Sequence, residues 1–434
     1  MPMLTNGTVI KTSLGETVKV KEYIAEGGQG EVYKVIHQGK ERALKWYLKS
    51  SLNGDNSNPQ FFYNNIKANA SKGKPSDEFL WPIDVTEWQD GTFGYVMELR
   101  PAGYHNITDF MNLVVRFNSY RAIINACLKI VFAFRILHNN GYSYQDLNDG
   151  NFFINPENGR VLICDNDNVA TDKTETGILG KSRYMAPEIV LGKNKPNSLS
   201  DRFSMAILIY ILFCLDHPLE GKRSLLPNSP ELTTKLYGSE PLFIMDPKDK
   251  SNGPVPGTHD NSLMVWKCLP KYMQDIFIKA FSKESFENPK ARPKEIDWLK
   301  VLTRFRSEIV PCSCGNEVFT QNGNSTKCDK CGKIVKVPFK LIFRDYATPA
   351  IKDSRIYKCQ LGVYNVEEAL DPIASVVSKK DSDSLGIRNK TSKTWNALTP
   401  SGKSKKVAPD EAIPLKNGIT FTIDDMTIKI EENK

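Results

Sequence analysis

The hydrophobic pattern of the chain changes near residue 100. Before that point, four runs rich in β-branched and aromatic residues alternate with turn signals, at 17–24, 31–36, 42–47 and 93–99. Only 60–70 has the composition of a helix there. From Ile107 onward the pattern is helical, and Ala122 to Asn139 is the most clearly amphipathic stretch. A β-rich part followed by a helix-rich part predicts an α+β protein with two lobes.

Length and charge limit the classes of protein to which the chain can belong. A chain of 434 residues is longer than one compact domain, so we expect a large domain followed by smaller ones. The net charge of +8 is modest, and nucleic acid is not the expected partner. The longest apolar run, Met205 to Leu215, is shorter than the ~20 residues that span a bilayer, which predicts a buried helix and no membrane association. The N-terminal segment lacks the features of a signal peptide, so the expected location is the cytoplasm.

A glycine-rich segment lies between the first two β runs. Ile24 to Val32 reads I-A-E-G-G-Q-G-E-V, with Gly27 and Gly30 in the spacing G-x-x-G-x-V. Glycines in such a turn allow backbone N–H groups to approach phosphate oxygens. Alone, the segment also fits a plain glycine-rich hairpin. The informative feature is the order, because Lys45 follows on the next strand but one.

Acidic and amide side chains lie beside apolar runs in the middle of the chain. Tyr144 to Asn151 reads Y-Q-D-L-N-D-G-N, F-F-I follows it, and V-L-I-C precedes Asp165. Further along are Y-M-A-P-E ending at Glu188, an apolar helix that Asp201 opens, and Arg292-Pro293. Taken in order with the loop and Lys45, these segments resemble the catalytic domain of eukaryotic-type (Hanks-type) Ser/Thr protein kinases.

The resemblance implies a bilobal protein kinase fold up to about Arg306 and transfer of phosphate from ATP to a protein substrate. It implies that Asp146 is the catalytic base and that Asn151 and Asp165 bind Mg²⁺ or Mn²⁺. Asp201 would hold the catalytic loop, and Arg292 would pair with Glu188. The implied nucleotide site consists of Ala25, Gly27, Gly28, Gly30, Val32, Ala43, Lys45, Met97, Glu98, Leu99, Asn151 and Asp165.

Within the kinases, the chain is most similar to bacterial kinases encoded beside a metal-dependent Ser/Thr phosphatase and a von Willebrand A-type protein. The similar segments are Asn69 to Val85, Tyr237 to Pro247 and Leu385 to Trp395. The resemblance implies those two proteins as partners and a role in bacterial signalling.

Several positions depart from the family pattern. Ala25 replaces the first loop glycine, and Tyr144 and Gln145 replace the His and Arg of the catalytic triplet. Loss of that Arg argues against activation by loop phosphorylation. Asn166 and Asp167 replace the Phe and Gly that follow the metal-binding Asp.

The acidic partner of Lys45 is also missing from its usual helix. The stretch from Pro59 to Ala70 contains no acidic residue, so Asn64, Asn65 or Glu78 is the expected substitute. This gap supports an alternative function, a pseudokinase that holds nucleotide or partners without turnover.

Lys181 forms a separate hypothesis. Ser/Thr kinases place a lysine two residues after the catalytic Asp, where this chain has Asn148, and a threonine where it has Lys181. We expect Lys181 to supply the missing catalytic charge near the γ-phosphate. The alternative is an ordinary solvated lysine.

Four of the nine cysteines are clustered as Cys312-x-Cys314 and Cys328-x-x-Cys331. Four thiolates in two knuckles predict a structural Zn²⁺ site in a zinc ribbon, because no ligand position is left open for catalysis. Ribbons often bind nucleic acid, which makes a nucleic-acid-associated scaffold a third candidate function.

The tail after the ribbon shows β-type alternation near its end. It resembles a forkhead-associated-like β sandwich, although Arg388 lacks the Ser-x-x-His sequel of a phosphothreonine site. The stretch Ser375 to Lys406 is predicted to form loops and edge strands. The predicted domains are the N-lobe at 1–100, the C-lobe at 101–308, the ribbon at 309–336 and the β module at 337–434. Candidate autophosphorylation sites are Thr171, Thr174, Thr176 and Ser182.

Overall fold

The computed structural model describes residues 2–53, 58–172, 174, 180–227, 229–362, 368–379 and 384–433. The chain divides into two compact units. The first contains 1–117, 129–269 and 274–294, and the second contains 118–128, 270–273 and 295–434.

The first unit begins with a six-stranded antiparallel sheet in the order β1-β2-β3-β4-β6-β5. Its strands are β1 (Val9–Lys11), β2 (Thr17–Glu26), β3 (Gly30–His37), β4 (Lys40–Tyr47), β5 (Asp84–Val85) and β6 (Gly94–Glu98). The four predicted β runs lie in β2, β3, β4 and β6. The sheet has an apolar cluster on each face, so the central strand β4 is buried on both sides.

Two helices accompany this sheet, α1 (Lys49–Leu52) and α2 (Pro59–Lys72). Helix α2 is the one predicted at 60–70. It begins where the Asn58 side chain accepts a hydrogen bond from Phe61 N at 3.0 Å, and Pro59 occupies the first turn. Phe62 and Ile66 bury one face of α2 against the cluster that contains Tyr47 and Tyr95.

The rest of the first unit is mainly helical and forms the second lobe that the sequence pattern predicts. Helix α6 is buried along nearly its whole length and begins at an Asn197–Ser200 capping box. The helices are α3 (Ile107–Met111), α4 (Tyr120–Asn139), α5 (Pro187–Val190), α6 (Ser198–Cys214), α7 (Pro230–Thr234), α8 (Asp260–Cys268), α9 (Lys271–Ala280) and α10 (Lys283–Glu287). Helices α4 and α9 begin in residues that belong to the second unit.

Short strands interrupt these helices. They are β7 (His105–Asn106), β8 (Tyr142–Ser143), β9 (Phe152–Ile154), β10 (Val161–Ile163) and β11 (Ala170–Thr171). Strands β9 and β10 form an antiparallel hairpin in which Phe152 lies opposite Ile163, and β11 pairs with β8.

The second unit contains helix α11 (Glu295–Glu308) followed by two small hairpins. The first hairpin joins β12 (Ile309–Pro311) to β13 (Glu317–Phe319), and the second joins β14 (Thr326–Lys327) to β15 (Ile334–Val335). The four clustered cysteines lie in or next to these hairpins.

Two further sheets follow, and residues of both sheets contribute to one apolar cluster. One has the order β17-β16-β25-β24-β21-β22 and the other β18-β19-β20-β23. The strands are β16 (Phe339–Ile342), β17 (Ala347–Pro349), β18 (Arg355–Tyr357), β19 (Pro372–Ser378), β20 (Leu385–Asn389), β21 (Trp395–Leu398), β22 (Ser404–Val407), β23 (Ala412–Pro414), β24 (Thr420–Ile423) and β25 (Met426–Glu432).

The prediction of loops and edge strands at Ser375 to Lys406 is wrong in part. Strands β19, β20 and β21 pair on both sides, and only β22 is an edge. Alternate residues of these strands are buried, the apolar Val376, Ile387 and Trp395 among them. The exposed basic residues that suggested an edge, such as Lys390 and Lys393, lie between the strands. Within the described ranges, no helix has the length and apolar character needed to cross a membrane.

Candidate active site

The β9–β10 hairpin brings two predicted metal ligands to its open end. Asn151 immediately precedes β9, and Cys164 N donates to Asn151 O at 2.9 Å, which places the next residue, Asp165, beside it. Asn151 Nδ2 donates to Asp146 O at 2.9 Å. This bond turns the amide so that its nitrogen is on the loop backbone, as a metal-binding asparagine requires, because only the amide oxygen can ligate Mg²⁺. The predicted grouping of Asp146, Asn151 and Asp165 is therefore present in the structure.

Asp201 holds the backbone of the catalytic loop. Its Oδ2 accepts from Tyr144 N at 2.7 Å and lies 3.0 Å from His138 Nε2, and its Oδ1 accepts from Gln145 N at 3.3 Å. Asp201 is 2% exposed, so its carboxylate is satisfied by these interior donors. This geometry agrees with the role implied for Asp201.

The carboxyl group of Asp146 is held by the loop itself. Asn148 Nδ2 donates to Asp146 Oδ1 at 3.0 Å, and Asn148 Oδ1 accepts from Gly150 N at 3.0 Å. Burial raises the pKa of Asp146 to about 6, while the Asn148 hydrogen bond and the nearby Lys181 charge oppose that rise. A carboxylate with a pKa near neutrality is suited to accept a proton.

Lys45 is buried between two carboxylates. Its Nζ lies 2.8 Å from Asp167 Oδ2 and 3.2 Å from Asp165 Oδ1, and it donates to Gln29 Oε1 at 2.9 Å. Asp167 Oδ2 also accepts from Tyr47 OH at 2.5 Å. Burial acts against the charge of Lys45, but the two carboxylates outweigh it and raise the pKa of Lys45 above its ordinary value.

The predicted partners of Lys45 are wrong in this structure. Asn64 Oδ1 accepts from Gln60 Nε2 at 3.1 Å, and Asn65 Nδ2 donates to Val169 O at 2.8 Å. Glu78 pairs with Lys129 at 2.8 Å. Helix α2 therefore contacts the segment after Asp167 through amides, and the acidic partner comes from Asp167 itself.

The apolar residues of the predicted nucleotide site belong to, or pack against, one hydrophobic cluster. Ala43 and Met97 are opposite each other on β4 and β6, and both are buried in the cluster that lines one face of the sheet. Val32, Leu99, Leu162 and Cys164 pack against the same cluster. Such a surface, formed by strands from both lobes, suits the apolar faces of an adenine ring. Glu98 lies at the end of β6 with its side chain largely exposed.

The glycine-rich loop forms the turn between β2 and β3. Gly27 N donates to Gly30 O at 2.8 Å, and Gly27 and Gly28 are exposed with open space around them, as a phosphate-binding loop requires. Ala25 lies opposite Val32 in the same pair of strands. Gly30 has a different reason to be glycine, because a Cβ atom there would collide with the carbonyl oxygen of Trp46 on β4.

The departures from the family pattern are accommodated by hydrogen bonds. Tyr144 OH donates to Cys164 O, and Gln145 Nε2 donates to Thr174 O. Asn166, which stands where the family has Phe, donates through Nδ2 to Leu80 O at 2.8 Å and to Ile163 O at 2.9 Å. The interior contact is therefore polar instead of apolar. Thr176 lies outside the described residues, so its candidate role is untested.

Lys181 lies beside the catalytic loop. Its Nζ is 3.0 Å from Asp149 Oδ1, and its side chain is 60% exposed. A Cβ atom on the preceding Gly180 would lie 3.0 Å from Asp146 Oδ1, so the backbone that carries Lys181 passes close to the predicted base.

A buried ion pair joins Glu188 to Arg292, as the sequence predicted. Arg292 Nη1 and Nη2 donate to the two carboxylate oxygens of Glu188 at 2.8 and 2.6 Å, and Arg292 Nε donates to Ser285 O at 3.1 Å. The fork geometry satisfies both partners inside the helical lobe.

The clustered cysteines lie in the second unit with their sulfur atoms within 4.8 Å of one another. Cys312 and Cys331 sulfurs are 3.6 Å apart, and Cys314 and Cys328 sulfurs are 3.7 Å apart. Backbone bonds close each knuckle, from Gly315 N to Cys312 O at 2.9 Å and from Gly332 N to Cys328 O at 2.8 Å. Four converging thiols are compatible with a tetrahedral zinc site.

Sequence reasoning missed three groups at this site. Asp167 and Gln29 contact Lys45, and Asn148 orients Asp146. A usable signal for Asp167 was present, since an acidic residue replaces Gly two positions after Asp165. Its link to the lysine depends on how the turn folds, which spacing does not reveal.

Comparison with known proteins finds similarity to protein kinases. The protein kinase domain family matches residues 18–237. Similar proteins include the maternal embryonic leucine zipper kinase of Xenopus tropicalis, 32% identical over 202 residues, or 45% of this chain and 30% of the relative. A probable serine/threonine-protein kinase of Saccharomyces cerevisiae is 25% identical over 283 residues, or 60% of this chain and 41% of the relative. The eukaryotic translation initiation factor 2-alpha kinase 3 of Rattus norvegicus is 26% identical over 163 residues, or 32% of this chain and 15% of the relative.

The chain thus spans less than half the length of each of these relatives. The family match covers just over half of the chain, and it contains the glycine-rich loop, Lys45, the catalytic loop and Asp165. The chain belongs to the protein kinase domain family.

Proposed function

We propose that this chain is a Ser/Thr protein kinase that transfers the γ-phosphoryl group of ATP, with Mg²⁺ or Mn²⁺, to a hydroxyl group of a protein substrate. One observation carries the proposal. Lys45 contacts Asp165, Asp165 follows the residue bonded to Asn151, and Asn151 is bonded to Asp146, so the four side chains lie close together next to an apolar surface suited to adenine.

The residues divide the work as phosphoryl transfer requires. Asp146 orients the substrate hydroxyl and accepts its proton, for which its raised pKa is suited. Asn151 and Asp165 would hold the divalent cation, which neutralises phosphate charge when bound. Lys45 binds the phosphates of ATP beside the glycine-rich turn, and Ala43, Met97 and Leu99 contact the base.

Replacing Asp165 tests this assignment against the pseudokinase alternative. The assay measures transfer of radiolabelled phosphate to a generic protein acceptor, together with nucleotide binding. We expect Asp165→Ala to lower transfer by at least about 100-fold, because the phosphates then lack their cation, while the fold is retained. A wild type that binds Mg·ATP without transferring phosphate would favour the pseudokinase.

We also propose that residues 309–336 form a zinc ribbon whose metal is structural. The convergence of Cys312, Cys314, Cys328 and Cys331 supports it. Cys328→Ser should release about one zinc per chain and loosen the second unit, because thiolate ligands supply the folding energy of a small ribbon. Cys268→Ser, at an exposed cysteine outside the cluster, should keep the metal. Wild-type protein purified without chelators and without zinc would contradict the ribbon.

The remaining proposals concern the tail and the partners. We propose four domains with the boundaries predicted above. Residues 337–434 would form a forkhead-associated-like β sandwich for protein interaction, and the apolar core shared by the two sheets supports this.

From the resemblance of Asn69 to Val85 and Tyr237 to Pro247, we propose a cytoplasmic bacterial kinase with a metal-dependent Ser/Thr phosphatase and a von Willebrand A-type protein as partners.

A further inference from the structure

Lys45 has two carboxylate partners that differ in exposure. The Asp165 side chain is 36% exposed, whereas the Asp167 side chain is 0% exposed. A hydrated cation in the cleft can reach the first and not the second without rearrangement. If Asp165 binds the cation, its negative charge is shared with the metal, and Asp167 remains as the acid that holds Lys45 in place.

We propose that Asp167 is the positioning residue that holds Lys45 for ATP binding, in the role that the family usually gives to a glutamate on the following helix. The inference rests on the proposed function and deepens it, since it assigns how the phosphate-binding lysine is oriented. It places the acid on the metal-binding segment itself, two residues after Asp165.

The local structure explains how two acids so close in sequence reach one lysine. Asp165 has a positive φ of 52°, and a single 3₁₀ turn at Asn166–Asn168 follows it. The turn is fixed because Asn166 Nδ2 donates to carbonyl oxygens of Leu80 and Ile163. Asp165 and Asp167 therefore flank Lys45 from a turn that is bonded to Leu80 and to strand β10.

The surroundings of Asp167 direct its charge to Lys45. Its Oδ2 accepts from Lys45 and Tyr47, and its Oδ1 has no hydrogen-bond partner among the described residues. A buried carboxylate is stabilised by a compensating positive charge, and Lys45 lies within ion-pair distance of it. Tyr47 contributes a neutral hydrogen bond to the same oxygen.

Helix α2 is connected to this segment in another way. Asn65 Nδ2 and Asn69 Nδ2 both donate to Val169 O, at 2.8 and 2.9 Å. The helix therefore supports the backbone just after the turn and contributes no charge to Lys45. Lys45 would then be positioned without an acidic residue on helix α2.

A double-mutant cycle in nucleotide affinity tests the proposal. The variants of the full chain are Lys45→Met, Asp167→Asn and the double variant, and the probe is a fluorescent ATP analogue with Mg²⁺. Each single variant should weaken binding by about 10-fold or more, since a charge-assisted bond is lost. The double variant should bind no more weakly than Lys45→Met, because Asp167 acts only through Lys45. Additive losses would overturn the proposal.

A matched control separates the charge from the packing around it. Tyr47→Phe removes the other hydrogen bond to Asp167 Oδ2 and keeps the ring. We expect it to change nucleotide affinity by less than about 3-fold. A loss as large as that of Asp167→Asn would show that any disturbance of this interior weakens binding, and it would contradict a specific role in holding Lys45.

Binding and transfer are measured separately, so the two proposals can fail independently. Coupling between Lys45 and Asp167 in a wild type that binds nucleotide without transfer would sustain this inference and refute the proposed function. Phosphate transfer by the wild type, together with additive losses of affinity in the cycle, would support the proposed function and refute this inference.

A stability measurement covers the case in which Asp167→Asn does not fold. Lys45→Met leaves Asp167 buried without a positive partner, whereas Lys45→Met/Asp167→Asn removes both charges. The double variant should therefore unfold at a higher temperature than Lys45→Met. An equal or lower unfolding temperature would overturn the pairing.

Discussion

Two regions of the kinase domain each bury an ion pair, and they do so in different ways. In the helical lobe, Arg292 meets Glu188 in a two-bond fork between side chains that are both buried. Between the lobes, Lys45 meets Asp167 with one short contact, while a second acid, Asp165, lies partly exposed at its other side. The first pair is complete without a ligand. The second is arranged around a lysine and an acid that the proposed reaction uses.

The comparison shows which contacts a sequence pattern can predict. Glu188 and Arg292 each lie in a segment that matches the family pattern, so their pairing could be predicted although 104 residues separate them. Lys45 aligns equally well, but the family pattern indicates a partner on helix α2 or, as Glu78, just after it. The acid is Asp167, at a position where the family has Gly, and only the folded turn after Asp165 brings it to the lysine.

The largest expected effect concerns the Arg292–Glu188 ion pair of the helical lobe, which is complete without a ligand. Arg292→Ala should lower the free energy of unfolding by about 3–5 kcal/mol, because it leaves the Glu188 carboxylate buried and unpaired. Thermal or denaturant unfolding measures the loss. The control is Lys283→Ala, whose pair with Glu287 joins two exposed side chains, and its unfolding midpoint should stay at the wild-type value. An Arg292→Ala protein as stable as the control would mean that this pair contributes little to the fold.

A smaller effect is expected at Lys181, which pairs with Asp149 of the catalytic loop. If its charge reaches the γ-phosphate in the transition state, Lys181→Ala should lower kcat by about 10-fold with little change in the KM for ATP. Lys40→Ala removes an exposed lysine at the turn between β3 and β4 and should leave both parameters unchanged. A defect confined to the KM for the peptide would assign Lys181 to the substrate groove.

The same contrast applies to the fold. The two lobes, helix α2 and helix α6 follow the predicted patterns, because burial of alternating or helical apolar faces determines them locally. The tail was less predictable. Its stretch from Ser375 to Lys406 is rich in basic and small residues, yet β19, β20 and β21 are interior strands, since strand order depends on pairing between distant segments.

The pH dependence of phosphate transfer, compared between wild type and Asp146→Asn, tests the account most directly. Burial raises the pKa of Asp146 to about 6 in the free protein, and the base must be ionised to accept a proton. The wild-type kcat/KM should therefore rise with pH to a plateau, with a midpoint near 6, because this parameter reports the free enzyme. Asp146→Asn should be lower by about 100-fold or more and lack that titration. An Asn variant with wild-type rates and the same pH profile would contradict the assignment of Asp146 as the base.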